Sequence, residues 1–129
     1  VRKAATVRGA DDSSRRAVKL NRAALIRSTE ESVTVSTHVL DLGAGRPASG
    51  VRVELSATGG GEPVASGETG ADGRLRFEGE FTPGEYTLEF HVGGAVHRAL
   101  TLRVSLDQER HYHLPLLVSP YGLSTYLGS

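Results

Sequence analysis

From Glu30 onward, apolar side chains recur at every second position in short runs, a spacing that a half-buried β-strand satisfies and an amphipathic helix does not. Val51, Val53 and Leu55 alternate with Arg52 and Glu54. Tyr86, Leu88 and Phe90 alternate with Glu85, Thr87 and Glu89, and Leu100, Leu102, Val104 and Leu106 alternate with Thr101, Arg103 and Ser105. Between these runs lie residues that favour tight turns: Gly43-Ala-Gly45, Gly59-Gly-Gly61, Ala71-Asp-Gly73, Pro83-Gly84, Gly93-Gly94 and Asp107-Gln108. The pattern predicts about eight strands, near 33–42, 50–58, 63–68, 73–79, 84–92, 98–106, 110–119 and 122–127. Short strands at this spacing with no long helical pattern imply an all-β fold, an antiparallel β-sandwich of about a hundred residues.

Composition narrows the chemistry. At 129 residues and 38% hydrophobic, the chain has apolar material for one small core. It has no cysteine, so disulfides, thiolate zinc sites and cysteine nucleophiles are excluded. No apolar run approaches the roughly 20 residues that cross a bilayer, and no membrane partner is expected. Cytoplasmic action is the expectation, with the peroxisome as an alternative if the source is a eukaryote.

The charge is zero overall but uneven. Residues 1–28 carry eight Lys/Arg against Asp11 and Asp12, a net of +6, and the rest of the chain carries −6. We therefore divide the chain into a basic tail or linker at 1–28 and a domain at 29–129. Within the tail, Val18, Leu20, Leu25 and Ile26 among Arg and Ala suit a short amphipathic helix. The last helix of an upstream domain, a targeting presequence and a nucleic-acid contact are alternatives. Without interleaved aromatics or a binding motif, the charge gives little support for nucleic acid, and no nucleic-acid partner is expected.

Strand parity bears on the histidines. In 110–119, Tyr112, Leu114, Leu116 and Val118 share one face and fill the core, which turns His111, His113, Pro115, Leu117 and Ser119 outward. Two histidines beside Leu117 make a mixed face that a subunit interface would explain. A pair of surface histidines without a role is the plain alternative. Metal binding through His-x-His is less attractive, since no carboxylate sits at useful spacing in that strand.

Three blocks carry a resemblance. Ser36-Thr-His-Val-Leu-Asp-Leu-Gly-Ala-Gly-Arg-Pro-Ala48, Thr69-Gly-Ala-Asp-Gly-Arg74 and the terminal His111-Tyr-His-Leu-Pro-Leu-Leu through Tyr126-Leu-Gly-Ser129 are similar, in order and spacing, to the transthyretin-related 5-hydroxyisourate hydrolases. The resemblance implies an eight-stranded transthyretin-like sandwich, a homotetramer with sites along a channel between dimers, and 5-hydroxyisourate as substrate. It also implies that His38, Arg74 and His113 are the catalytic group, with Tyr126, Leu127 and the Ser129 carboxylate at the substrate.

Ring opening of this urate oxidation product needs a base for water, a donor for the developing oxyanion and a proton for the leaving nitrogen. Two histidines and an arginine supply these, and neither metal nor organic cofactor is expected. A non-catalytic small-ligand carrier on the same fold is the alternative. His91, His97 and His111 are read as structural or exposed. The chain departs from the family's pattern in the short connection 91–97, in Leu123 where an aromatic is common, and in Leu127 where the tail arginine is expected.

Overall fold

The computed structural model describes residues 32–129, so the basic segment 1–28 lies outside the described residues. The described residues form ten strands and no helix: β1 (Thr34–Asp41), β2 (Arg46–Pro47), β3 (Arg52–Ala57), β4 (Ala65–Glu68), β5 (Arg74–Arg76), β6 (Gly84–His91), β7 (Leu100–Leu106), β8 (His111–His113), β9 (Leu116–Ser119) and β10 (Gly122–Thr125).

Two sheets face each other. One runs β4-β3-β6-β7, all antiparallel. In the other, β1 is central, and its two halves have different neighbours. Its first half pairs with β8 on one side and β5 on the other, while its second half pairs with β9 and β2; β10 then hangs on β9. Alternation along β1 and the residue before it drives this arrangement, since Val33, Val35, Thr37 and Val39 are buried and the residues between them are not. Buried Val53, Leu55, Leu88 and Phe90 close the core from the opposite sheet, as their period-two spacing predicts.

Two sequence expectations change. β1 runs parallel to both β8 and β9, so the sandwich is not purely antiparallel; alternation fixes which face is dry but carries no information on strand direction. The predicted strand 110–119 is broken in two at Leu114-Pro115, because proline has no N–H for the ladder. Across the break, Leu114 N–H donates to the Ser36 carbonyl at 2.9 Å, and the buried Thr37 hydroxyl donates to the Leu114 carbonyl at 2.7 Å. Pro115, placed by parity on the outward face, is in fact buried. The break ends the strict alternation, and the C-terminal segment crosses over it: Thr125 Oγ1 donates to the Pro115 carbonyl, and Gly128 bridges to His113. In β7, Leu106 is buried while Leu100, Leu102 and Val104 are half-buried, as befits an outermost strand.

Candidate active site

The registers of β1, β5 and β8 collect the polar residues. His38 is opposite Arg74 and Ser36 opposite Arg76 across β1 and β5, while Thr34 is opposite His111 and Ser36 opposite His113 across β1 and β8. Since opposed residues share a face, one outer patch of the sheet carries three histidines, two arginines and two hydroxyls. A cavity of about 310 Å³ opens there, walled by Ser36, Arg74, Arg76, His111, His113 and Ser129, among others.

The β4–β5 turn sets two of these groups. Gly73 has φ of +79°, and a Cβ on it would lie 2.5 Å from the Val39 carbonyl oxygen and 3.3 Å from His38 Cδ2, so only glycine lets the turn lie this close to β1. The Asp72 side chain accepts from the Arg74 N–H at 3.0 Å, and the Asp72 carbonyl lies 2.9 Å from His38 Nε2. A carbonyl only accepts, so His38 donates its Nε2–H to it. Arg74 Nε is 3.8 Å from Asp72, a loose pairing that leaves the guanidinium's terminal nitrogens available to a ligand.

His113 and His111 are joined through one hydroxyl. Ser36 Oγ lies 2.8 Å from His113 Nδ1 and 2.7 Å from His111 Nε2, and Thr34 Oγ1 lies 2.6 Å from His111 Nδ1. His113 Nε2 has no protein partner among the described residues. Both rings are held below the ordinary imidazole pKa. Burial is the main cause in each, helped at His113 by the charges of Arg74 and His38, and at His111 by those of Arg76, His113 and Arg110. The pair is thus neutral at pH 7, with His113 able to accept a proton.

A family model described as HIUase/Transthyretin matches residues 35–128. The chain belongs to this family. It is 41% identical over 113 residues to the 5-hydroxyisourate hydrolase of Deinococcus radiodurans, covering 74% of this chain and 95% of that one. Among solved structures, Klebsiella pneumoniae 5-hydroxyisourate hydrolase matches with a TM-score of 0.67 at 37% identity, over 74% of this chain and 99% of that one. Sea bream transthyretin in complex with thyroxine matches with a TM-score of 0.63 at 28% identity, over 73% of this chain and 93% of that one. Relatives named as hydrolases at this level of identity make this HIUase/transthyretin family member a hydrolase.

Of the residues singled out in the sequence of this family member, Arg74, His113 and Ser129 wall the cavity, with His38 beside Arg74 on the same face. Tyr126 and Leu127 do not wall it; they are 53% and 54% exposed on the tail. His91 is exposed on the other sheet, 3.7 Å from both Glu54 and Glu89, with Arg52 already paired to Glu54. His97 is half-buried in the β6–β7 connection. Sequence reasoning missed Ser36, Arg76 and His111 as site residues. Parity along β1 and β5 would have found the first two, since Ser36 alternates with the buried Val35 and Thr37, and Arg76 lies two residues from Arg74.

Proposed function

We propose that the protein hydrolyses 5-hydroxyisourate to 2-oxo-4-hydroxy-4-carboxy-5-ureidoimidazoline, with His38, Arg74 and His113 as the catalytic residues and without a cofactor. The observation that carries the reading is the registration of β1, β5 and β8, which brings these three residues from distant parts of the sequence onto one face beside a cavity. Named hydrolases of this substrate at 41% and 37% identity support it.

His113, neutral and with Nε2 facing no protein group, takes a proton from the attacking water. The water oxygen bonds to the activated acyl carbon of the six-membered ring. Arg74 holds the oxygen that gains charge, through the fork of N–H donors that its loose contact with Asp72 leaves open. As the carbon–nitrogen bond breaks, the proton returns to the leaving nitrogen, giving a ureido group and a carboxylic acid that releases its remaining proton to solvent as the carboxylate. His38, fixed through its Nε2–H by the Asp72 carbonyl, orders the water from the other side. Arg76 adds positive potential, which favours an anionic substrate and product.

The assembly we propose is a homotetramer. β7 and β10 end their sheets with unpaired backbone edges, and the exposed Tyr126 and Leu127 follow β10 in the chain. Pairing of copies along these edges would cover both and bring the tail residues toward a neighbouring cavity. Light scattering that finds a stable monomer at micromolar concentration would refute this part.

The test of function is to generate 5-hydroxyisourate freshly and follow its decay with and without the protein. Accelerated decay that is lost in Arg74→Ala and His113→Ala supports the enzyme. Decay at the spontaneous rate together with saturable ligand binding would instead leave the carrier reading.

A further inference from the structure

We propose that His111 and Ser36 are positioning residues for His113, and that the row Thr34–His111–Ser36–His113 locks the two imidazoles into the same tautomer and relays one proton along it. The proposal rests on the hydrolase reading for its role in turnover, but the coupling itself is a property of the hydrogen-bonded row.

The argument is a count of hydrogens. Ser36 Oγ lies within 2.8 Å of His113 Nδ1 and 2.7 Å of His111 Nε2, yet a hydroxyl has one proton to donate. With both rings neutral, Ser36 donates to one and accepts from the other. If it donates to His113 Nδ1, His113 carries its proton on Nε2, and His111 must donate from its own Nε2. Thr34 Oγ1, 2.6 Å from His111 Nδ1, then donates to that nitrogen. If Ser36 donates to His111 Nε2, both rings carry their protons on Nδ1 and Thr34 accepts. Only matched tautomers satisfy every contact. In the first arrangement His113 Nε2 is an acid toward the cavity, and in the second it is a base.

One proton passed along the row converts one arrangement into the other. When His113 Nε2 takes a proton from water, Nδ1 gives its proton to Ser36, Ser36 gives its own to His111 Nε2, and His111 Nδ1 gives its proton to Thr34, which releases one to solvent. When His113 Nε2 protonates the leaving nitrogen, each transfer reverses and one proton enters at Thr34. Protons balance over the cycle, and no ring has to hold a second proton beside its neighbour.

The charges around the row favour this. Arg76 and Arg110 act on His111, and Arg74 and His38 act on His113, each disfavouring an imidazolium; the Ser129 carboxylate, which shares the cavity wall, is the opposing charge. Burial is the larger cause and the arginines add to it, so both rings are neutral at pH 7, the condition under which the tautomers couple.

The test combines histidine ¹⁵N NMR on the whole chain with kinetics on Ser36→Ala, Ser36→Thr, His111→Phe and the Ser36→Ala/His111→Phe double variant. Wild type should show His111 and His113 in the same tautomer. Ser36→Ala should uncouple them and lower kcat about ten- to a hundredfold with KM little changed, while Ser36→Thr restores both. His111→Phe should cost as much as Ser36→Ala, and the double variant no more than either. Opposite tautomers in wild type, an unchanged His113 tautomer in Ser36→Ala, or additive losses in the double variant would overturn the proposal. Matched tautomers that uncouple in Ser36→Ala, in a protein without hydrolase activity, would uphold the row and remove the function. Hydrolysis with unmatched tautomers would do the reverse.

Discussion

Gly73→Ala is the sharpest probe of how the site is held. Gly73 has φ of +79°, which costs a residue with a Cβ about 1–2 kcal/mol. The new methyl would also lie 2.5 Å from the Val39 carbonyl oxygen and 3.0 Å from Pro47 Cβ, neither of which is the flexible end of a long side chain. Such overpacking typically costs about 1–3 kcal/mol, so the expected loss is roughly 2–5 kcal/mol out of a total near 5–15. For a domain of about a hundred residues even the lower figure moves the melting temperature down by about 8–16 °C. Gly45→Ala is the control, since Gly45 has φ of +72° but nothing within 4 Å of the built Cβ; it should suffer the conformational cost alone. Thermal unfolding of both variants by circular dichroism measures the difference. Because the turn also holds Arg74 and the His38 ring, hydrolysis by folded Gly73→Ala should fall as well. The reasoning fails if Gly73→Ala melts no lower than Gly45→Ala.

Single replacements of His38, Arg74 and His113 by alanine should each lower hydrolysis about a hundredfold or more with the circular dichroism spectrum intact, the scale of a lost acid-base group or oxyanion donor; unchanged rates in folded protein would remove the residue from the mechanism. The acid limb of kcat/KM should lie below pH 6.5, the ordinary imidazole value, because His113 is held low, and Arg74→Gln should move that limb upward by removing a repelling charge. Stability should follow the same groups: above pH 6.5 both states are neutral at His111 and His113, and as pH falls the unfolded chain binds protons first. Melting temperature therefore drops as pH falls through 6.5 and levels off, as far as these rings contribute, once the folded rings are protonated too; a profile flat down to pH 5 would contradict this. Gly128→Ala would put a methyl 2.8 Å from His113 Cδ2 and should cut kcat by up to about a hundredfold through ring displacement, measurable in the same decay assay. Leu127→Arg should raise kcat/KM about tenfold in a salt-dependent way; an unaltered rate in an intact oligomer would separate this position from the substrate.

How far the sequence could be read depended on which interaction placed each residue. The dry faces of β1, β3 and β6 follow from alternation alone, because burying apolar area has one solution per strand. Glycine and proline positions marked the turns for a similarly local reason. Strand direction was not legible: that β1 runs parallel to β8 and β9 is decided by which edges meet across the whole domain. The break at Pro115 was visible as a residue but not as a change of face, because its burial comes from the tail crossing it. His38, Arg74 and His113 were singled out through motif resemblance. His111 was set aside since the role we propose for it depends on Ser36, a residue 75 positions away that no local pattern connects to it.

The pairing of β1 with β8 and β9 also governs when the site comes into being. Contacts such as Thr37 to Leu114 and Ser36 to His113 span 77 positions, so they close only after almost the whole domain has been synthesised. Closing such long loops is slow compared with forming a hairpin. The sheet β4-β3-β6-β7, built from the sequential pairs β3–β4 and β6–β7, can take shape from nearer neighbours while β1 waits for its late partners. A nascent chain ending before Tyr112 would hold β1 with no parallel neighbour and no histidine row. Activity should therefore appear in a refolding experiment with the slowest phase, after most of the strand signal has returned.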